Sequence, residues 1–61
     1  MNNMGMYYEV KGYNNGECLV QALFHTFIEA LEFVKISKTV DCDIWLKFNN
    51  KVICEMDYRN N

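Results

Sequence analysis

Apolar and polar residues alternate in two pairs of segments, and the stretch between them repeats its apolar positions at helical spacing. Met6-Tyr7-Tyr8-Glu9-Val10-Lys11-Gly12-Tyr13 is rich in β formers and runs into Asn14-Asn15-Gly16, the strongest turn signal in the chain. A three-residue loop over 14–16, with Gly16 at positive φ, returns the chain into a second strand ending at Phe24. This register sets Gly12 opposite Cys18, Val10 opposite Val20, Tyr8 opposite Ala22 and Met6 opposite Phe24 on one apolar face. The other face pairs Lys11 with Leu19, Glu9 with Gln21 and Tyr7 with Leu23. A slip of one residue would turn every side chain to the wrong face, so the match between loop and pattern supports the pairing.

Thr26-Phe27-Ile28-Glu29 has the form of a capping box, in which Thr26 caps a helix and Glu29 reaches back. The helix is predicted from Phe27 to about Ser37. Phe27, Ala30, Leu31 and Val34 form its apolar stripe, widened by Ile28 or Phe33. Glu29, Glu32 and Lys35 face water, and Lys35 and Lys38 suit the negative end of the helix dipole.

The last third is a second alternating pair. Val40, Cys42, Ile44, Leu46 and Phe48 alternate with Asp41, Asp43, Trp45 and Lys47. Beyond Asn49-Asn50-Lys51, Val52, Cys54, Met56 and Tyr58 alternate with Ile53, Glu55, Asp57 and Arg59. A three-residue loop sets Phe48 opposite Val52, Leu46 opposite Cys54, Ile44 opposite Met56 and Cys42 opposite Tyr58. It also forces Lys51 to positive φ, at about 1–2 kcal/mol, a cost that a longer loop with an odd number of residues avoids.

These elements predict an α+β domain of order ββαββ: a four-stranded antiparallel sheet in the order 2-1-3-4, with one helix on one face. Residues 6–59 form the domain, and 1–5 and 60–61 are expected to be flexible ends. The alternative is βαββ with a single helix over 17–37, because Val20, Leu23, Phe24, Phe27, Leu31 and Val34 also fit a helical period. Against it, Thr26 starts a helix better than it continues one, and Cys18 to Phe24 is apolar on nearly all sides.

Composition sharpens the picture. With 61 residues, 51% of them hydrophobic, the chain has more apolar material than one sheet face and one helix stripe hide. A core of this size rarely supplies more than about 3–5 kcal/mol, which favours association. If one helix covers one face of the sheet, the opposite face carries Tyr7, Glu9, Lys11, Leu19, Gln21, Leu23, Trp45, Lys47, Ile53 and Glu55. An open antiparallel face is normally polar. Tyr7, Leu19, Leu23, Trp45 and Ile53 interrupt it and are therefore the expected protein-interface residues.

Catalytic chemistry finds little support. His25 is the single histidine, and Cys18 lies seven strand residues away, roughly 23 Å. Cys18, Cys42 and Cys54 show no zinc spacing and are expected in the core as free thiols. Asp41, Asp43, Glu55 and Asp57 form a small acidic group, with Asp43 opposite Asp57 and Asp41 opposite Arg59, but no calcium loop or phosphate-binding glycine pattern accompanies it. No catalytic residue, metal or cofactor is assigned. The net charge of −2 has the wrong sign for a phosphate binder. No 18-residue apolar run or export signal is present, which points to a cytoplasmic protein without a membrane partner.

The expected function is thus a non-enzymatic protein-binding module acting through the open sheet face, as a homodimer or with another protein. Its size and type are those of phage or mobile-element inhibitors of host enzymes and of small regulatory subunits. The alternative is a single-stranded nucleic-acid platform, in which Tyr7 and Trp45 stack bases beside Lys11 and Lys47.

Overall fold

The computed structural model describes residues 5–59; of the ends expected to be flexible, 1–5 and 60–61, residues 1–4 and 60–61 lie outside them, while the Gly5 carbonyl accepts a hydrogen bond from Asn49 N at 3.0 Å. Strand β1 (Met6–Asn14) and strand β2 (Glu17–Phe24) precede helix α1 (Phe27–Ile36), and strands β3 (Asp41–Phe48) and β4 (Lys51–Arg59) follow. All neighbours pair antiparallel in the order β2-β1-β3-β4. Residues 17–24 are strand, so the long-helix alternative is not what forms.

Both hairpins turn in two residues, not three. Asn15 (φ 55°) and Gly16 (φ 80°) close the first, and Asn49 (φ 52°) and Asn50 (φ 68°) the second. Positive φ at both central positions matches the right-handed twist of the flanking strands, and Asn tolerates it because its short polar side chain bonds locally. Lys51 is therefore spared the strain expected of it.

Each tight turn is followed by a β-bulge that leaves one residue without a cross-strand partner: Leu19 in β2 and Ile53 in β4. In the first hairpin turn and bulge shift the register in the same sense. Val10 then faces Ala22, Tyr8 faces Phe24, Glu9 faces Leu23 and Lys11 faces Gln21, two residues from the expected partners. A shift of two keeps every side chain on its expected face. In the second hairpin the two shifts cancel, so Leu46–Cys54, Ile44–Met56 and Cys42–Tyr58 pair as the sequence predicts. At its tip Phe48 faces Lys51, and Val52 faces Lys47 on the open side.

The capping box forms: the Thr26 hydroxyl accepts from Glu29 N at 3.2 Å, and Thr26 N donates to the Glu29 carboxylate at 3.3 Å. Ala30 and Val34 are buried from the helix, and Phe33 rather than the exposed Ile28 widens the stripe. Ring contacts of Phe27 with Tyr8 (5.8 Å) and Phe33 with Phe24 (5.3 Å) seat the helix on the sheet. The buried hydrophobic core is Val10, Ala30, Val34, Cys42 and Ile44.

The helix packs on β1 and β2 and does not cover the whole face. A helix is about 10 Å across and strands lie about 4.8 Å apart, so one helix spans roughly two strands. Cys54, expected in the core, is consequently exposed on β4. Cys18 is exposed too, because the bulge pairs it with Tyr13 on the open face; of the three expected core thiols only Cys42 is buried. Gly12 sits where the loop after α1 crosses the sheet. A Cβ there would collide with the Thr39 hydroxyl and the Val20 side chain. Thr39 and Ser37 share a hydrogen bond at 3.0 Å, and Thr39 Oγ1 lies 3.2 Å from Cys42 Sγ.

Candidate functional site

The open face of the sheet is built in rows. Leu23, Glu9, Trp45 and Glu55 cross the four strands in one row; Gln21, Lys11, Asp43 and Asp57 cross in the next. The middle of this face is closed by its own charges. Glu9 is buried, receiving hydrogen bonds from Gln21 and from Lys47, whose Nζ lies 2.9 Å away. The Lys47 hydrogen bond holds the Glu9 carboxyl below its usual range against the opposing effect of burial, and the Glu9 contact pushes Lys47 up in turn. Lys11 Nζ stands 5.3 Å above the Trp45 ring and Lys47 Nζ 5.9 Å from the Tyr7 ring. The Tyr7 hydroxyl donates to Asn50 Oδ1 at 2.9 Å, which ties the centre to the second turn.

The predicted interface residues divide accordingly. Trp45 occupies the middle, half-buried beneath Lys11. Leu19 and Leu23 lie on β2 at one edge, and Ile53 lies on β4 at the other, about three strand spacings or 14 Å away. Leu23 faces Glu9 rather than Tyr7, yet Tyr7 and Leu23 line one pocket of about 400 Å³ with Gly5, Met6, Phe24 and His25. This pocket is the largely apolar part of the face, and sequence reasoning missed the contributions of Met6, Phe24 and His25. His25 follows from the corrected register, which carries the end of β2 two residues past the expected pairing of Tyr7 with Leu23; Met6 and Phe24 belong to the helix-side face, as expected, and line the pocket where β1 and β2 end. On β4 the register sets Val52 opposite Lys47 on this face, next to the bulged Ile53, and both are exposed.

Among the described residues, five hydrophobics form the buried core while nine large ones are exposed. They include Leu19 (52% exposed), Leu23 (62%) and Ile53 (56%), and also Ile28, Ile36 and Phe48 around the helix and the flank it leaves open.

The opposite end of the open face is acidic. Carboxylate oxygens of Asp43, Glu55 and Asp57 lie within 4.8 Å of one another, beside a pocket of about 420 Å³ that also touches Tyr13 and Asp41. Burial, the hydrogen bond to Asp57 and the charges of Asp57 and Glu55 push Asp43 up to about 6. These three carboxylates are the group that could hold a hard cation, which takes six or more oxygen ligands. Asp41 and Arg59 form the expected exposed ion pair at 3.5 Å. No helix among the described residues is long and apolar enough to cross a membrane. No family model, curated protein or solved structure matches this chain.

Proposed function

We propose that this chain is a small non-enzymatic protein-binding module of the cytoplasm that grips its partner through the β2 side of the open sheet face. Tyr7, Leu19 and Leu23 form the centre of the contact, Trp45 lies at its margin beneath Lys11, and Ile53, at the far edge, stands outside it. The supporting observation is the apolar pocket between Tyr7 and Leu23, flanked by exposed leucines on an edge strand, in a domain with a five-residue buried core. Apolar patches of this kind on small domains mark interaction sites more often than they serve any other end. The format is that of a phage or mobile-element inhibitor of a host enzyme or of a small regulatory subunit, acting as a homodimer or on a foreign partner.

Protein is favoured over single-stranded nucleic acid because Lys11 and Lys47 already stand against the two aromatic rings that would stack bases. The acidic triad at the far end of the same face repels a phosphate backbone. The test is affinity capture from host extract, together with solution mass, for the parent chain and for Leu23→Glu and Trp45→Glu with circular dichroism matching the parent. Loss of capture or of self-association in Leu23→Glu is expected, with a smaller loss in Trp45→Glu. A parent chain that stays monomeric and captures nothing, or a folded Leu23→Glu that behaves as the parent does, ends the proposal.

A further inference from the structure

The two edges of the sheet are not equally guarded. β4 carries Lys51, Glu55, Asp57 and Arg59, the charges that natural edges use to refuse another strand. β2 carries none from Cys18 to Phe24, and its bulge sits at the tip, leaving Val20 to Phe24 regular. Resting on the protein-binding reading above, we propose that the occupant of the β2 edge is a second copy of this chain, paired antiparallel about a two-fold axis through Gln21.

The register follows from three constraints. Residues directly opposite must share a face, so the two sequence numbers in each pair must sum to an even value. Pairing about Val20 sets Leu19 against Gln21 and Glu17 against Leu23; pairing about Ala22 sets Gln21 against Leu23. Pairing about Gln21 alone sets Val20 against Ala22 twice and Gln21 against itself, and brings the bulged Leu19 of each copy level with Leu23 of the other. Each Leu19 then lands beside the Tyr7–Leu23 pocket of the other copy and covers a leucine that is 62% exposed in the single chain.

Charge agrees with the same register. The only charge on β2 is Glu17, which comes to the rim beside His25 of the second copy, so no like charges meet. The two-fold stands perpendicular to the sheet, giving one continuous eight-stranded sheet with both open faces on the same side. One edge strand and two leucine pairs bury less than about 1,200 Å² in total, the size of weaker specific interfaces, so a concentration-dependent dimer is expected.

The experiment uses the full chain. Sedimentation equilibrium from 5 to 500 µM (about that span) reads self-association of the parent and of Gln21→Lys. That variant keeps a donor for Glu9 but sets two like charges face to face on the axis. In parallel, Gln21→Cys in a Cys18→Ser, Cys54→Ser background is mildly oxidised, since a residue on the axis lies opposite itself within reach of a disulfide. The expected result is a parent dimer, at least a tenfold weaker Gln21→Lys with unchanged circular dichroism, and rapid cross-linking at position 21. A monomeric parent without cross-linking overturns the inference; whether the protein-binding reading survives is then read from Leu23-dependent capture of a foreign partner. A parent dimer that cross-links through native Cys54 and not through position 21 overturns it as well, placing the contact at β4.

Discussion

The two hairpins share a turn and differ in what surrounds it. Each closes on a two-residue turn with both residues at positive φ, and each carries a bulge in its outer strand. The first lies under the helix and ends in an edge whose single charge is Glu17 at its tip; the second is partly open on its helix side and ends in an edge charged along its length. The same local device therefore supports a covered surface in one place and an uncovered one in another, and the difference arises from a helix too narrow for the sheet.

The pairs beside the two bulges give the sharpest test. Gly12 pairs with Val20 just before one bulge, and Leu46 pairs with Cys54 just before the other. Gly12→Val should be the most damaging substitution, at about 3 kcal/mol or more, because the new side chain enters space held by Thr39 and Val20. Cys54→Ala, on the exposed flank, should change stability by less than about 0.5 kcal/mol. Urea unfolding of both variants checks the pair. Similar losses at the two sites would mean that the second hairpin is as tightly covered as the first.

Loss of the cap should act on the first hairpin through its lid. Thr26→Ala removes the acceptor of Glu29 N and should cost about 1 kcal/mol. Hydrogen exchange should show the added opening in α1 first, with the β3–β4 ladder changing least, since few helix contacts reach it. Uniform loosening of both hairpins would instead make the domain one cooperative unit.

Much of this was legible in the sequence, for reasons that residues make plain. The helix start was readable because Thr26 and Glu29 are local partners, and the faces because the alternating pattern survives an even shift. The turn length was not, since Asn14-Asn15-Gly16 suits a two- or a three-residue loop. The bulges left a trace in the adjacent apolar pairs Cys18-Leu19 and Val52-Ile53, each interrupting the alternation at its hairpin tip. Strict alternation hid that signal. The interface residues were assigned by face alone, which joined Leu19 and Leu23 to Ile53 across a sheet whose middle is closed by Glu9, Lys47 and Lys11. Such a charge network depends on side-chain reach across strands, which alternation does not encode.

The turns themselves should respond in opposite directions. Gly16→Ala, at φ 80°, should destabilise by about 1 kcal/mol. Asn50→Gly, at φ 68°, relieves the same kind of conformational cost but loses the acceptor of the Tyr7 hydroxyl, so the gain should stay below about 0.5 kcal/mol. Thermal unfolding reads both. A stabilising Gly16→Ala would refute the shared turn geometry on which the likeness of the two hairpins rests.

The smallest effect separates the two ends of the open face by pH. Glu9, between the hairpins, has its pKa lowered from 4.5 by Lys47, so its contribution is complete above the unfolded value and fades as pH falls below it. Asp43, in the second hairpin, is pushed up to about 6, so the opposite sign applies. Its proton favours the fold below about 4 and is lost as pH rises through about 6, where the charge is held beside Asp57 and Glu55. Asp43→Asn keeps a hydrogen-bond donor for Asp57 and removes that charge. It should stabilise the domain at pH 7.5 by no more than about 1 kcal/mol, the scale of an exposed cross-strand pair, and the advantage should shrink below pH 5 (approximately) as the parent carboxyl takes up its proton. A variant less stable than the parent at pH 7.5 would mean that something other than repulsion governs the acidic end, with a cation held by the three carboxylates as the first thing to titrate for.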